Sequence, residues 1–159
     1  MLKAWGFKYV TVLNGGLKAW GDRATEEGDC KGKDTKLILA LNEKLVVSYE
    51  QVKEMESSDA QICDGRPAEM FGKGSVPKSH NVPDSMLLNG DNQLKSADEL
   101  KLVFTSQGVD CNKPLVTMCA TGMKGSLLFL AANEIGIPQV RLYDGSWTEY
   151  AAKQAEAGP

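Results

Sequence analysis

Apolar residues recur along the chain in short runs separated by polar, Gly-rich punctuation. Residues 9–13 (YVTVL) are apolar and β-branched and close on Asn14-Gly15-Gly16, which predicts a strand and a turn. Residues 44–48 (KLVVS) predict another short strand. Tyr49, Val52, Met55 and Glu56 then repeat at helical spacing, with Ser48 as N-cap. Residues 60–66 (AQICDGR) predict a strand ending in turn chemistry, and PAEMFG adds a helical turn with Pro67 at its first position. Residues 72–95 are rich in loop formers. A helix follows over 96–108, with Ser96 as N-cap, Glu99 completing a capping box and Gly108 as stop. Residues 114–119 (PLVTMC) are apolar on both faces, the pattern of a buried parallel strand. Residues 124–136 predict a helix that Gly136 ends and Pro138 keeps from continuing. The last strand is expected over 139–145 and a final helix over SWTEYAAKQAEA, capped by Ser146.

Strands alternating with helices imply an α/β fold with a mainly parallel sheet. Ligand sites in such sheets lie outside the carboxyl ends of the strands. Asp64 and Cys119 both stand at such ends.

The chain also repeats itself once. YVTVLNGGLKAW (9–20) is similar to QVRLYDGSWTEY (139–150): strand, Asn/Asp-Gly turn, small residue and aromatic helix start. The two copies begin about one domain length apart. Residues 1–21 are therefore read as the end of a preceding domain of the same type, 22–43 as a polar linker and lead-in, and 44–159 as the main domain. An unpaired apolar strand at 9–13 invites edge pairing. It is expected to join an edge of this domain, or a second copy of the chain in a homodimer held through residues 1–20.

Composition narrows the chemistry. With 159 residues, 42% hydrophobic and 25% charged, the chain is long enough for one well-formed core. No apolar stretch reaches membrane length, and no basic-then-apolar secretory pattern opens the sequence. A net charge of −3 without a Lys/Arg cluster argues against nucleic acid as partner. Only three arginines occur (Arg23, Arg66, Arg141), which weakens a phosphate-binding reading. The four cysteines (Cys30, Cys63, Cys111, Cys119) form no Cys-x-x-Cys pair, so neither a zinc site nor a disulfide framework is indicated. Reduced thiols fit a cytoplasmic compartment, with the mitochondrion as alternative.

Cys119 is the candidate that chemistry singles out. An unassisted thiol, with a pKa of about 8.5, is mostly protonated at pH 7, so a nucleophilic Cys needs help. A loop leading from a strand into a helix N-terminus supplies unpaired N–H groups and the positive end of the helix dipole. A loop wrapped around the sulfur adds further N–H groups, and Gly122 can take the positive φ that a tight ring requires. Lys124 adds a cation at the rim. The competing reading is an ordinary buried strand-end thiol. A Cys-based phosphatase would need an Arg six residues on, where Gly125 stands. A Cys–His hydrolase would have to use His80, the single histidine.

Several stretches together resemble the rhodanese-like sulfurtransferases, and especially the C-terminal domain of the two-domain thiosulfate and 3-mercaptopyruvate sulfurtransferases. ICDGRPAEMF looks like that family's Asp-x-Arg followed by a Phe-bearing helix, and GSVPKSHNVP like its Gly-His-Ile-Pro-Gly-x-x-Asn-Ile-Pro stretch. CATGMK is similar to its six-residue active-site loop, and LYDGSWTEY to the signature after its last strand. VTVLNGGLKAW resembles the same signature in the inactive N-terminal domain.

The resemblance implies a three-layer α/β/α fold around a central, mainly parallel, five-stranded sheet. It implies transfer of a sulfane sulfur from thiosulfate or 3-mercaptopyruvate through a Cys119 persulfide to an acceptor such as a small thiol, thioredoxin or cyanide. Ala120, Thr121, Gly122, Met123 and Lys124 would line the donor site with Asp64 and Arg66, and no cofactor or metal would be required. Arg66 also has a structural reading, as an ion pair with Glu69. Met70 and Ser75 stand where the family carries Arg and His, and Ala120 and Thr121 where the thiosulfate type has basic residues. The alternative is a rhodanese-like binding or regulatory domain with little or no turnover.

Overall fold

The segment that is apolar on both faces becomes the middle of the sheet. In the computed structural model, which describes residues 2–23, 28, 32, 36 and 40–157, β3 (Leu115–Met118) is buried along its length. β1 (Gln61–Asp64), equally buried, pairs parallel to it, with Cys63 opposite Thr117 and Asp64 opposite Met118. β2 (His80–Asn81) flanks β1 and β4 (Arg141–Leu142) flanks β3, giving the all-parallel order β2-β1-β3-β4.

The expected five-stranded sheet is thus four strands. The fifth place is held by an isolated parallel bridge between Val46 and Leu142, closed by Leu142 N–H to Leu45 C=O (2.9 Å) and Val47 N–H to Leu142 C=O (3.0 Å). Residues 44–48 lie where the strand was expected, but only one residue pair carries the ladder.

Alternation along the strands splits the core into two. Cys63 and Leu115 face a cluster with Val82, Leu100, Phe104, Leu128 and Ala132, which covers the sheet with α4 (Ala97–Ser106) and α5 (Met123–Glu134). Ile62, Val116 and Met118 face the other side, with Val47, Val52, Tyr143 and Tyr150 brought by α2 (Tyr49–Met55) and α6 (Ser146–Ala157). The result is the three-layer α/β/α arrangement.

The helix caps follow local chemistry. Ser48 caps α2, with Gln51 completing a capping box, and Ser96 caps α4 with Glu99. Ser96 N–H donates to Glu99 Oε2 at 3.0 Å, and Glu99 N–H donates to Ser96 Oγ at 3.4 Å. Ser96→Ala should cost about 1 kcal/mol of stability, measurable as a shift of the urea midpoint at unchanged slope.

Four other expectations are corrected. Pro67 is the N-cap of α3 (Ala68–Gly72), one position before the helix. The loop-rich segment 72–95 contains β2 and a 3-10 turn at Asp84–Leu87, both too short to leave a periodic pattern. β4 is a two-residue strand inside the predicted 139–145. Residues 9–13 join no strand of the described chain, and Tyr9 is 97% exposed. Their β-branched pattern is not enough by itself, because β-propensity stabilises only a strand that has a partner.

The N-terminal segment nonetheless touches the domain. Asn42 N–H donates to Ala4 C=O (2.6 Å), Leu94 N–H donates to Asn14 Oδ1 (2.8 Å), and α1 (Gly16–Trp20) follows the Asn-Gly-Gly turn. A groove of about 1320 Å³ runs between residues 10–16 and α5. The repeat is visible in the backbone: Gly16 and Ser146, which occupy matching positions, have φ of 59° and 54°. Of the expected linker 22–43, most residues, Cys30 among them, lie outside the described residues.

Candidate active site

Cys119 directly follows β3, at the carboxyl edge of the sheet, and is 1% exposed. After it the chain turns through Ala120 and Thr121 into Gly122, the left-handed N-cap of α5 at φ 83°. A Cβ at Gly122 would lie 2.7 Å from both the carbonyl oxygen and Oδ1 of Asp144, so space and backbone conformation both demand glycine. Gly125 lets the first turn of α5 close on the strand end: a Cβ there would sit 3.0 Å from the Met118 backbone.

The peptide groups of this loop are sorted by the turn after β4. Trp147 N–H donates to Cys119 C=O (2.9 Å), and Thr148 donates to Ala120 C=O from both its N–H (3.0 Å) and its Oγ1 (2.8 Å). The first two loop carbonyls are thereby fastened to the start of α6. Cys119 N–H donates to Ser146 Oγ (3.1 Å), which itself donates to Tyr143 C=O (2.9 Å). The N–H groups of residues 120–125 have no protein acceptor among the described residues. A loop with its first carbonyls tied back and a run of N–H groups unclaimed is suited to hold negative charge.

Ser146 therefore departs from its expected role. It is the first residue of α6, and its buried hydroxyl ties the ends of β3 and β4 instead of capping the helix. Sequence reasoning also passed over Trp147, Thr148 and Asp144. The signal was present in DGSW: a turn ending the strand beside β3 has to face the loop that leaves β3.

Asp64 and Arg66 form a separate unit beneath the site. They are 0% and 2% exposed, and Arg66 donates from Nε (2.8 Å) and Nη2 (2.6 Å) to Asp64 Oδ2. Arg66 N–H donates to Asp64 Oδ1 (2.9 Å), Nη2 also donates to Gly74 C=O (2.7 Å), and the guanidinium lies 4.4 Å from the Trp147 ring centroid. The ion-pair partner is thus Asp64, not Glu69, which takes Lys73 at 2.6 Å. Arg66 links β1, the 74 loop and the Trp147 turn, and so braces the loop carbonyls at second hand.

The remaining predicted site residues lie at the surface. Thr121 is exposed and Met123 is 79% exposed, Ala120 is half-buried, and Lys124 donates to Asp84 Oδ1 at 2.9 Å. Of the other described thiols, burial, with the neighbouring Asp64 charge adding, pushes Cys63 far up, and burial also raises Cys111. Neither is suited to be a thiolate.

Residues 48–153 match the rhodanese-like domain family. The chain is 33% identical over 167 residues to the 3-mercaptopyruvate sulfurtransferase of Escherichia coli (strain K12), covering 96% of this chain and 59% of that protein. It is 34% identical over 163 residues to the thiosulfate sulfurtransferase of Gallus gallus, covering 94% of this chain and 56% of that protein. The crystal structure of SseA, a 3-mercaptopyruvate sulfotransferase from Escherichia coli, superposes with a TM-score of 0.84 at 34% identity, over 92% of this chain and 60% of that one. The chain thus spans less than two thirds of the length of these relatives. With its parallel three-layer fold and a strand-end cysteine entering a glycine-capped helix, the chain belongs to the rhodanese-like domain family.

Proposed function

We propose that this protein is a sulfurtransferase that carries sulfane sulfur on Cys119. The observation that carries the reading is the loop itself: its first carbonyls are bonded to Trp147 and Thr148, while the N–H groups of residues 120–125 have no protein acceptor among the described residues. That arrangement supports an anionic sulfur better than a neutral thiol.

With thiosulfate as donor, the Cys119 thiolate attacks the outer sulfur, the S–S bond breaks, and sulfite leaves with the electron pair. With 3-mercaptopyruvate the C–S bond breaks, and the departing enolate takes a proton to become pyruvate. In both cases the product is a persulfide on Cys119. A thiolate acceptor, of a small thiol or of thioredoxin, then attacks the outer persulfide sulfur and Cys119 leaves as thiolate. Cyanide ends the cycle as thiocyanate. Electrons balance within each step, so the chemistry calls for no cofactor. Ala120 to Lys124 would line the donor, with Asp64 and Arg66 acting from below through the 74 loop and Trp147.

A second reading, a binding or regulatory domain with little turnover, draws support from the cations. Arg66, Lys73 and Lys124 are each engaged by a carboxylate of the same chain. Steady-state thiocyanate formation separates the two. Sustained turnover with either donor, abolished in Cys119→Ser, is the result expected of the enzyme. A single sulfur loaded and never passed to cyanide or thiol would establish the binding domain instead.

A further inference from the structure

The active-site loop has one charged side chain of its own, Lys124, and the chain supplies it with an internal anion. Asp84 opens the 3-10 turn after β2, and its Oδ1 accepts from Lys124 Nζ at 2.9 Å. The carboxylate is the less accessible partner, its side chain 20% exposed against 50% for the lysine. Asp84 is held in place independently of that contact, because its N–H donates to Gly65 C=O (3.2 Å). Gly65 in turn donates to Met118 C=O (2.9 Å), at the end of the strand that carries Cys119. The carboxylate is therefore anchored to the β1 and β3 ends, while the lysine reaches to it across the loop.

The other cations named at this edge are similarly occupied. Arg66 is buried against Asp64, and Lys73 is paired with Glu69 at 2.6 Å. Each of these three cations thus already has a carboxylate partner. The Asp84 charge offsets the attraction that Lys124 would otherwise exert on each negative charge of the donor.

We propose that Asp84 is a specificity-determining residue that disfavours dianionic sulfur donors, so that the site takes carriers with one negative charge or none beside the transferable sulfur. The class includes monoanionic 3-mercapto-2-oxo acids and low-charge persulfides, R–S–SH. For the latter, the Cys119 thiolate attacks the outer sulfur, the S–S bond of the donor breaks, the proton stays on the transferred sulfur, and R–S⁻ leaves with the electron pair. Asp84 acts through Lys124 rather than by touching the donor. The inference rests on the sulfur-transfer reading for its biological sense, but its physical content is a charge effect on binding.

The test is equilibrium binding of thiosulfate and of 3-mercaptopyruvate to the Cys119→Ser protein, which cannot turn either over, with and without Asp84→Asn. The amide keeps the shape of the carboxylate and removes only its charge. Thiosulfate affinity is expected to rise about tenfold on Asp84→Asn, and 3-mercaptopyruvate affinity by a clearly smaller factor. Adding Lys124→Met to the Asp84→Asn protein should cancel the thiosulfate gain. A merely structural role for Asp84 would move both ligands alike. Equal changes for the two donors, or binding undetected in both proteins, overturns the proposal. Sulfur uptake by the protein with Cys119 intact is scored separately: uptake with unchanged donor preference in Asp84→Asn sinks this inference alone, and tighter thiosulfate binding without any uptake sinks the sulfur-transfer reading alone.

Discussion

Arg66→Met is expected to remove about 3–5 kcal/mol of folding stability, which is a large share of the roughly 5–15 kcal/mol a domain has. The reason is what it leaves behind. Asp64 is fully buried, and its Oδ2 accepts only from the Arg66 guanidinium among the described residues. Methionine fills much of the space but leaves a carboxylate in the interior without its counter-charge. The substitution also frees Gly74 C=O and removes the stack on Trp147. Urea denaturation of Arg66→Met and of Asp64→Asn/Arg66→Met checks the cause. The double variant, with no buried charge left, should recover a substantial part of the loss. A double variant less stable than Arg66→Met would contradict the account.

Gly122→Ala is the second large effect, and it falls on function. The φ of 83° costs an alanine about 1–2 kcal/mol, and the new Cβ would meet Asp144 backbone and carboxylate atoms at 2.7 Å. Asp144 belongs to the turn that holds the loop carbonyls, so it cannot retreat without disturbing them. The loop must open instead, which displaces the N–H groups proposed to serve the sulfur. Losing one such donor costs about a hundredfold or more in rate. The rate of sulfur uptake from saturating donor should fall by at least that much while the protein stays folded. A variant with normal uptake would mean that the loop conformation is not what serves the sulfur.

Much of this was legible in the residues, and the exceptions have physical causes. The central strand announced itself because burial on both faces erases alternation, as in PLVTMC. The caps at Ser48 and Ser96 were legible because capping is a local matter of a hydroxyl and a backbone N–H. β2 was not, because a two-residue strand owes its existence to β1 beside it. Residues 9–13 have the composition of a strand and no ladder, the same lesson from the other side.

The site divides in the same way. The Cys119 loop and Gly122 could be read from the strand–loop–helix pattern. Ser146, Trp147 and Thr148 become part of it only through the pairing of β3 with β4, in which Val116 stands opposite Arg141 and Thr117 opposite Leu142. Lys124 was legible as a rim cation, but its neutralisation by Asp84, 40 positions away, was not.

The central claim is that Cys119 itself takes up the sulfur, and intact mass measurement after brief exposure to excess donor tests it most directly. The account predicts that the protein gains the mass of one sulfur atom from thiosulfate or 3-mercaptopyruvate, that cyanide removes it, and that Cys119→Ser gains nothing. No gain from either donor, or the same gain in Cys119→Ser, would contradict it.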